Sequence, residues 1–287
     1  MLAHDLRRPT IFPMDAALGA EVAEIDLALP LTGQGHAALD AALREHLVLL
    51  FREQNLTDDA LVAFSRWFGE LDPPAPNPYG EPLHKSHPEI NIISNVMQNG
   101  RPIGNLGDGE AVWHADMTYR DNPPKAAVLH ALEVPPSGGA TYFANMFAAY
   151  DALPEALKTQ IEDKMAIHDA AHNSAGMLRK GYTEVDDVRE TPGARHRLVK
   201  TEPHSGRKAL FLGRRPHSYV LGLDIDDSNT LLDTLWAHAT QPDFVIRHDW
   251  QAGDVLMWSN LWVLHRRDSF DGTQRRVMHR TQIRGDA

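Results

Sequence analysis

The chain has 287 residues, 43% of them hydrophobic and 23% charged, with no cysteine and a net charge of −11. That composition is ordinary for a globular protein, and the length suffices to bury a substantial core without covalent staples. It excludes disulfides, iron–sulfur clusters, zinc–thiolate sites and cysteine nucleophiles, and the acidic balance argues against nucleic acid or an anionic membrane as partner, since both need a basic face.

Residues 1–10 carry Asp5, Arg7, Arg8 and Pro9 and lack the apolar core of a secretory signal. The apolar run at 47–51 is far short of the ~20 residues of a membrane span. Both features predict a cytoplasmic protein. Residues 11–31 read as a strand with turns. Ala38, Leu39, Ala42 and Leu43 recur at helical spacing within 36–46, and 47–51 follows as a buried strand. Thr57 is placed to cap a second helix, with Asp58 and Asp59 in its first turn and Leu61, Phe64, Ser65 and Phe68 on its packing face. Residues 73–88 are proline-rich loop.

Strands are expected at 90–96, 126–134 and 141–144, with a glycine-rich loop over 98–110. A helix is expected at 147–164, where Pro154 is tolerable only in a first turn. Residues 168–194 show little periodicity and read as a long excursion that could cover a site, a lid inserted into one domain spanning 1–287. Strands at 197–201 and 209–212, a helix at 228–239, and strands at 244–248, 254–258 and 275–283 complete the chain. The pattern predicts a mainly β protein with flanking helices (α+β), a sandwich or barrel under helical cover.

The chemistry starts at Trp113-His114-Ala115-Asp116. In a strand, side chains two apart share a face, so His114 and Asp116 can take adjacent corners of one metal ion. His265 is the candidate third ligand, 151 residues beyond His114 (265 − 114). Two imidazoles and a carboxylate on one face of an octahedral ion leave three positions open, the arrangement of non-haem Fe(II) oxygenases. With sixteen histidines in the chain, spacing alone does not single out this trio. On the last strand, alternation puts Arg276, Met278, Arg280 and Gln282 on one face and Val277, His279, Thr281 and Ile283 on the other. Arg276 and Arg280 would stand about 13 Å apart, each able to pair with a different anion.

These residues resemble the taurine / 2,4-dichlorophenoxyacetate dioxygenase family of Fe(II)- and 2-oxoglutarate-dependent oxygenases. The likeness spans about 29–285. It is carried by the run at 43–52, Trp113-His114-Ala115-Asp116, Gly138-Gly139-Ala140-Thr141, Gly206-Arg207-Lys208-Ala209-Leu210, Trp250-Gln251-Ala252-Gly253-Asp254 and Arg275-Arg276-Val277-Met278-His279-Arg280. The resemblance implies a double-stranded β-helix (jelly-roll) core, with His114, Asp116 and His265 as iron ligands. It implies that Arg276 and Thr141 hold the far carboxylate of 2-oxoglutarate and that Arg280 binds the substrate's anion. The substrate would be a small organic acid bearing a carboxylate, sulfonate, sulfate or related anion, hydroxylated with O2 and with release of succinate and CO2. Hydroxylation at a carbon bearing a heteroatom would cleave that bond. Asp116 favours hydroxylation over halogenation, because family halogenases lack this carboxylate. The family's usual Trp-Asp-Asn-Arg is Trp258-Ser259-Asn260-Leu261 here, which alters no implied ligand.

Two rival readings use the same residues: a zinc hydrolase, in which His/Asp/His activates water, and a non-catalytic jelly-roll binding protein. Oligomeric state, including a homo-oligomer, stays open. His84 and His87, with Asn95 and Asn105, are candidates for the pocket border. His130, His168, His172, His204, His217, His238 and His248 read as surface or packing residues, and Trp258 and Trp262 as core, with a place in the pocket wall as the alternative for either.

Overall fold

In the computed structural model, which describes residues 8–75, 83–109 and 111–286, strands and loops predominate. Twelve strands form the two sheets that position the site. They are β1 (Thr10–Pro13), β2 (Ala20–Ala23), β3 (Val48–Phe51), β4 (Asn91–Ser94), β5 (Asn105–Leu106), β6 (Ala111–His114), β7 (Ala126–Glu133), β8 (Thr141–Asn145), β9 (Val245–His248), β10 (Val255–Ser259), β11 (Val263–Arg267) and β12 (Val277–Ile283). The larger sheet runs β1-β2-β3-β10-β7-β12-β4-β5, and the smaller runs β9-β8-β11-β6. Pairing is antiparallel except at β2–β3 and β4–β5.

Alternation along the central strands builds two cores. On β7, Ala127, Leu129 and Ala131 join one cluster, while Ala126 and Val128 join another; on β10, Leu256 and Trp258 separate from Val255 and Met257 in the same way. The first cluster also takes Phe143 and Leu264 from the small sheet, so it lies between the sheets. The second packs against Leu39, Ala42 and Leu43 of helix α1 (Gly33–His46) and Leu61 and Phe64 of α2 (Asp58–Arg66). Burying each such Leu or Phe contributes about 1.5–3 kcal/mol. Thr32 caps α1 by accepting from Gly35 N, and Thr57 caps α2 by accepting from Ala60 N at 3.2 Å. Arg52 and Asp254 pair at 2.8 Å. His248 lies 3.0 Å from the same carboxylate.

Some expectations are corrected. The helix expected over 147–164 is two helices, α3 (Met146–Asp151) and α4 (Glu155–Ile161), with Pro154 at the break. Proline lacks the N–H and collides with the preceding turn. The loop at 98–110 contains β5 and a two-stranded ribbon, Met97–Gln98 with Arg101–Pro102. Short strands at Met165–Ile167 and Tyr219–Val220 had no signal in so few residues, and the strand expected at 197–201 divides into Arg195–Arg197 and Val199–Thr201. The last helix, α5 (Ile225–Ala239), starts three residues early. Much of the expected N-terminal segment and of the proline-rich loop (residues 1–7 and 76–82) lies outside the described residues. Among the described residues no helix is long and apolar enough to cross a membrane.

Candidate active site

β6 and β11 are neighbours, and their register places His114 directly opposite His265. Cross-strand partners share a face, so both imidazoles point into the space between the sheets. Asp116 follows two residues after His114, and its backbone is held by Asn260. Asn260 Oδ1 accepts from Asp116 N at 2.7 Å, and Asn260 Nδ2 donates to the carbonyl oxygens of Asp116 (2.9 Å) and Pro124 (2.8 Å). One ligand-capable atom from each of His114, Asp116 and His265 lies within 4.8 Å of the others, and all three residues are buried. The Nε2 atoms stand 3.6 Å (His114) and 3.9 Å (His265) from the Asp116 carboxylate. Those separations are too long for hydrogen bonds and suit atoms arranged around one ion. His114 Nδ1 lies 2.8 Å from the carbonyl oxygen of Val112. That contact assigns the proton to Nδ1 and leaves the Nε2 lone pair for the metal.

Electrostatics match. Burial opposes the charge of Asp116, but Arg280 and the two histidines outweigh it and hold the carboxyl ionised, well below the usual range. Burial, reinforced by His114, pushes the His265 imidazole well below its ordinary value, so it stays neutral. An anionic carboxylate and neutral imidazoles are the protonation states a divalent ion requires.

Arg276, one residue before β12, and Arg280, within it, both face the cavity as predicted. Arg280 lies opposite Asn91 and Leu129 and donates from one terminal nitrogen to both Asp116 oxygens, at 3.0 and 2.9 Å. Its Nε is buried without a partner. Arg276 is 2% exposed, has no carboxylate within ion-pair distance among the described residues, and keeps an unpartnered Nε. Burial, with Arg267 nearby, lowers it to about 9. Asn95 Oδ1 accepts from Arg276 N at 3.0 Å. Thr141 is on β8 opposite Arg267 and two residues from Phe143, which faces His265, so Thr141 points inward as well. Trp250 Nε1 donates to Thr141 Oγ1 at 2.9 Å, which leaves the threonine's own proton free to donate elsewhere. One cavity reaches from His114 and His265 to Thr141, Arg267 and Arg276. The tight Gly138-Gly139 turn is required here. Both have positive φ (76° and 67°), and a Cβ on Gly138 would lie 3.0 Å from the carbonyl oxygen of Ser269 and 3.1 Å from the Phe270 Cβ.

A second cavity opens beside His114 and Asp116, walled by Asn91, Asn105, Tyr119 and Arg280 and, opposite, by Asp169, His172, Asn173, Ser174, Arg179 and Arg214. Asp169 carries Arg214 and His172 (Nδ1 at 2.8 Å). Sequence reasoning missed Asp169, Arg179 and Arg214, which stand in segments without periodicity, and gave His172 only a packing role. It also missed Asn260, although the kept Asn in the Trp-Ser-Asn-Leu run was a signal. His84 and His87 do not border either cavity; they sit behind β12 with Asp58 and His279. Trp258 packs on His265 with ring centroids 5.1 Å apart, and Trp262 stacks on Phe147.

Residues 10–282 match the family model described as taurine catabolism dioxygenase TauD, TfdA family. The chain is 36% identical over 285 residues to the alpha-ketoglutarate-dependent 2,4-dichlorophenoxyacetate dioxygenase of Cupriavidus pinatubonensis, covering 96% of this chain and 97% of the relative. It is 37% identical over 294 residues to the (S)-phenoxypropionate/alpha-ketoglutarate-dioxygenase of Sphingobium herbicidovorans, covering 96% and 95%. The crystal structure of AAD-2 in complex with Mn(II) and N-oxalylglycine superimposes with a TM-score of 0.79 at 32% identity, covering 97% of this chain and 98% of that one. The chain therefore belongs to the TauD, TfdA family and is an Fe(II)- and 2-oxoglutarate-dependent dioxygenase.

Proposed function

We propose that His114, Asp116 and His265 hold the Fe(II), that Arg276 and Thr141 anchor the far carboxylate of 2-oxoglutarate, and that Arg280 orients the anion of a small organic acid. The observation that carries this reading is Arg276. A buried guanidinium with no acidic partner among the described residues needs an anion supplied from outside. Neighbouring Arg267, by contrast, already donates to the carbonyl oxygens of Leu106, Gly107 and Gly109.

Bound Fe(II) with 2-oxoglutarate supplies O2-dependent oxidative decarboxylation coupled to hydroxylation, with release of succinate and CO2. The chain's own residues position and exclude. Arg276 offers a fork to a carboxylate while Thr141 donates its free hydroxyl proton. Arg280 spans the two cavities, one nitrogen steadying Asp116 and its unpartnered Nε left for substrate. Where the hydroxylated carbon carries an ether or ester oxygen, the product collapses and that bond breaks. Aryloxyalkanoic acids are the first class to test, since two relatives are named for phenoxy acids.

The eight- and four-stranded sheets are the two halves of a double-stranded β-helix in a single domain. Residues 168–194 act as its lid, since five of them wall the second cavity. The cysteine-free sequence suits a reducing cytoplasm. The test is a panel of small organic acids incubated with enzyme, Fe(II) and 2-oxoglutarate under O2. The expected result is one succinate per product from at least one acid, and an increased KM for that acid in Arg280→Ala. Turnover that needs neither O2 nor 2-oxoglutarate would contradict the proposal.

A further inference from the structure

The back face of β12 carries a second group of metal-capable side chains that the dioxygenase reaction does not use. His279 alternates away from Arg276 and Arg280, and its Nδ1 lies 2.6 Å from Asp58 Oδ1 at the start of α2. His84, from the loop before β4, brings Nε2 to 2.8 Å from Asp58 Oδ2. His87 follows three residues later, and its backbone N–H donates to His84 Nδ1 at 3.0 Å. That bond makes His84 Nδ1 an acceptor and turns Nε2 inward. One ligand atom each from Asp58, His84 and His87 lies within 4.8 Å of the others. The His84 ring stands 5.0 Å from His87 and 5.6 Å from His279, edge to face.

Two features go beyond an ordinary His–Asp hydrogen bond. His84 and His279 share the Asp58 carboxylate, and His87, whose Nε2 lies 2.8 Å from Asp59 Oδ1, keeps its Nδ1 buried with no hydrogen-bond partner. Two imidazole nitrogens and a carboxylate oxygen, with one water, suit a four-coordinate ion of borderline softness, not calcium or magnesium, which prefer all-oxygen shells.

We propose that Asp58, His84 and His87, with His279 bonded to the same carboxylate, form a second, non-catalytic site for a divalent ion of the zinc class. Occupied, it ties the 84–87 loop and the start of α2 to the back of the strand whose front carries the two arginines. This site is independent of the function proposed above. The test uses tag-free, metal-stripped full-length protein, loaded with Zn2+, desalted and analysed for bound metal. Wild type should retain two equivalents, and His84→Ala/His87→Ala and His114→Ala/His265→Ala one each. In the latter variant, added Zn2+ should also raise Tm, and Co2+ should give the intense visible spectrum of four-coordinate cobalt. One equivalent in wild type that folded His84→Ala/His87→Ala also retains overturns the proposal. So do two equivalents retained by folded His84→Ala/His87→Ala, or six-coordinate cobalt in His114→Ala/His265→Ala.

Discussion

The two walls of the substrate cavity are made differently. On one side, His114, Asn91 and Arg280 belong to β6, β4 and β12, strands fixed by ladder hydrogen bonds and by a core of fully buried residues such as Met278 and Phe143. On the other side, Asp169–Arg179 has no regular structure beyond one bridge, His172 to Leu178, and is tied down by side chains: Arg214 and His172 on Asp169, and Arg179 on the carbonyl oxygen of Ala170. On the proposed roles, the sheet wall places metal and co-substrate groups where a small displacement would cost rate, and the loop wall, joined to it through Val112–Ser174 and His114–Arg214, shapes the substrate space. The proposal thereby divides chemistry and substrate choice between two kinds of backbone.

Variants should expose this division. Replacing Asp116 by Ala removes a ligand and strands Arg280, a buried charge whose lost partner costs about 3–5 kcal/mol. Activity should vanish and thermal stability fall, and detectable turnover would break the comparison. Arg276→Ala should weaken 2-oxoglutarate by about 2–5 kcal/mol with little change in substrate KM; equal effects on both would show that the two cavities are not separate. Asn260→Ala should lower Fe(II) affinity about 10–100-fold, as losses of outer partners do, measured by metal titration. Arg214→Ala, on the loop wall, should change substrate KM about 10-fold or less, within the range a single polar contact contributes, and leave the 2-oxoglutarate requirement alone. The smallest effect concerns acid stability. His168 is buried without a partner, and burial, with His196 and Lys200 adding to it, holds it well below its ordinary 6.5. The unfolded chain takes up a proton there and the folded chain does not. Stability present above about pH 6.5 is therefore lost as pH falls toward the folded value, by at most about 1.4 kcal/mol per pH unit. His168→Leu should flatten that slope, measured by urea melts at several pH values.

What was legible in the sequence follows the same line. Period-2 alternation along the last strand separated Arg276 and Arg280 from His279, helical spacing located α1, and spacing with a Thr57 cap located α2. These are local patterns enforced by burial on one face. The pairing of His114 with His265 was open until the family resemblance was considered, because register between strands far apart in sequence leaves no local trace. The roles of Asp169, Arg214 and Arg179 were not legible for a related reason. Their positions depend on the Asp169–Arg214 ion pair, on the bond from Arg179 to the carbonyl oxygen of Ala170, and on Gly213, whose positive φ and lack of a Cβ let His168 pack within what would be 2.1 Å of that atom. The motifs at 206–210 and 250–254 marked the family but lie outside the metal cluster. Arg207 rests on Phe147, and Trp250 supports Thr141 from behind.

The central claim is that a keto acid chelates a His114/Asp116/His265-bound Fe(II) with its tail on Arg276. Anaerobic addition of Fe(II) and 2-oxoglutarate to the metal-free protein tests it most directly. The account predicts a visible charge-transfer band that saturates at one equivalent, is absent in His265→Ala, and needs much more 2-oxoglutarate in Arg276→Ala. A protein that binds Fe(II) yet shows no band, or a band unchanged in both variants, would contradict it.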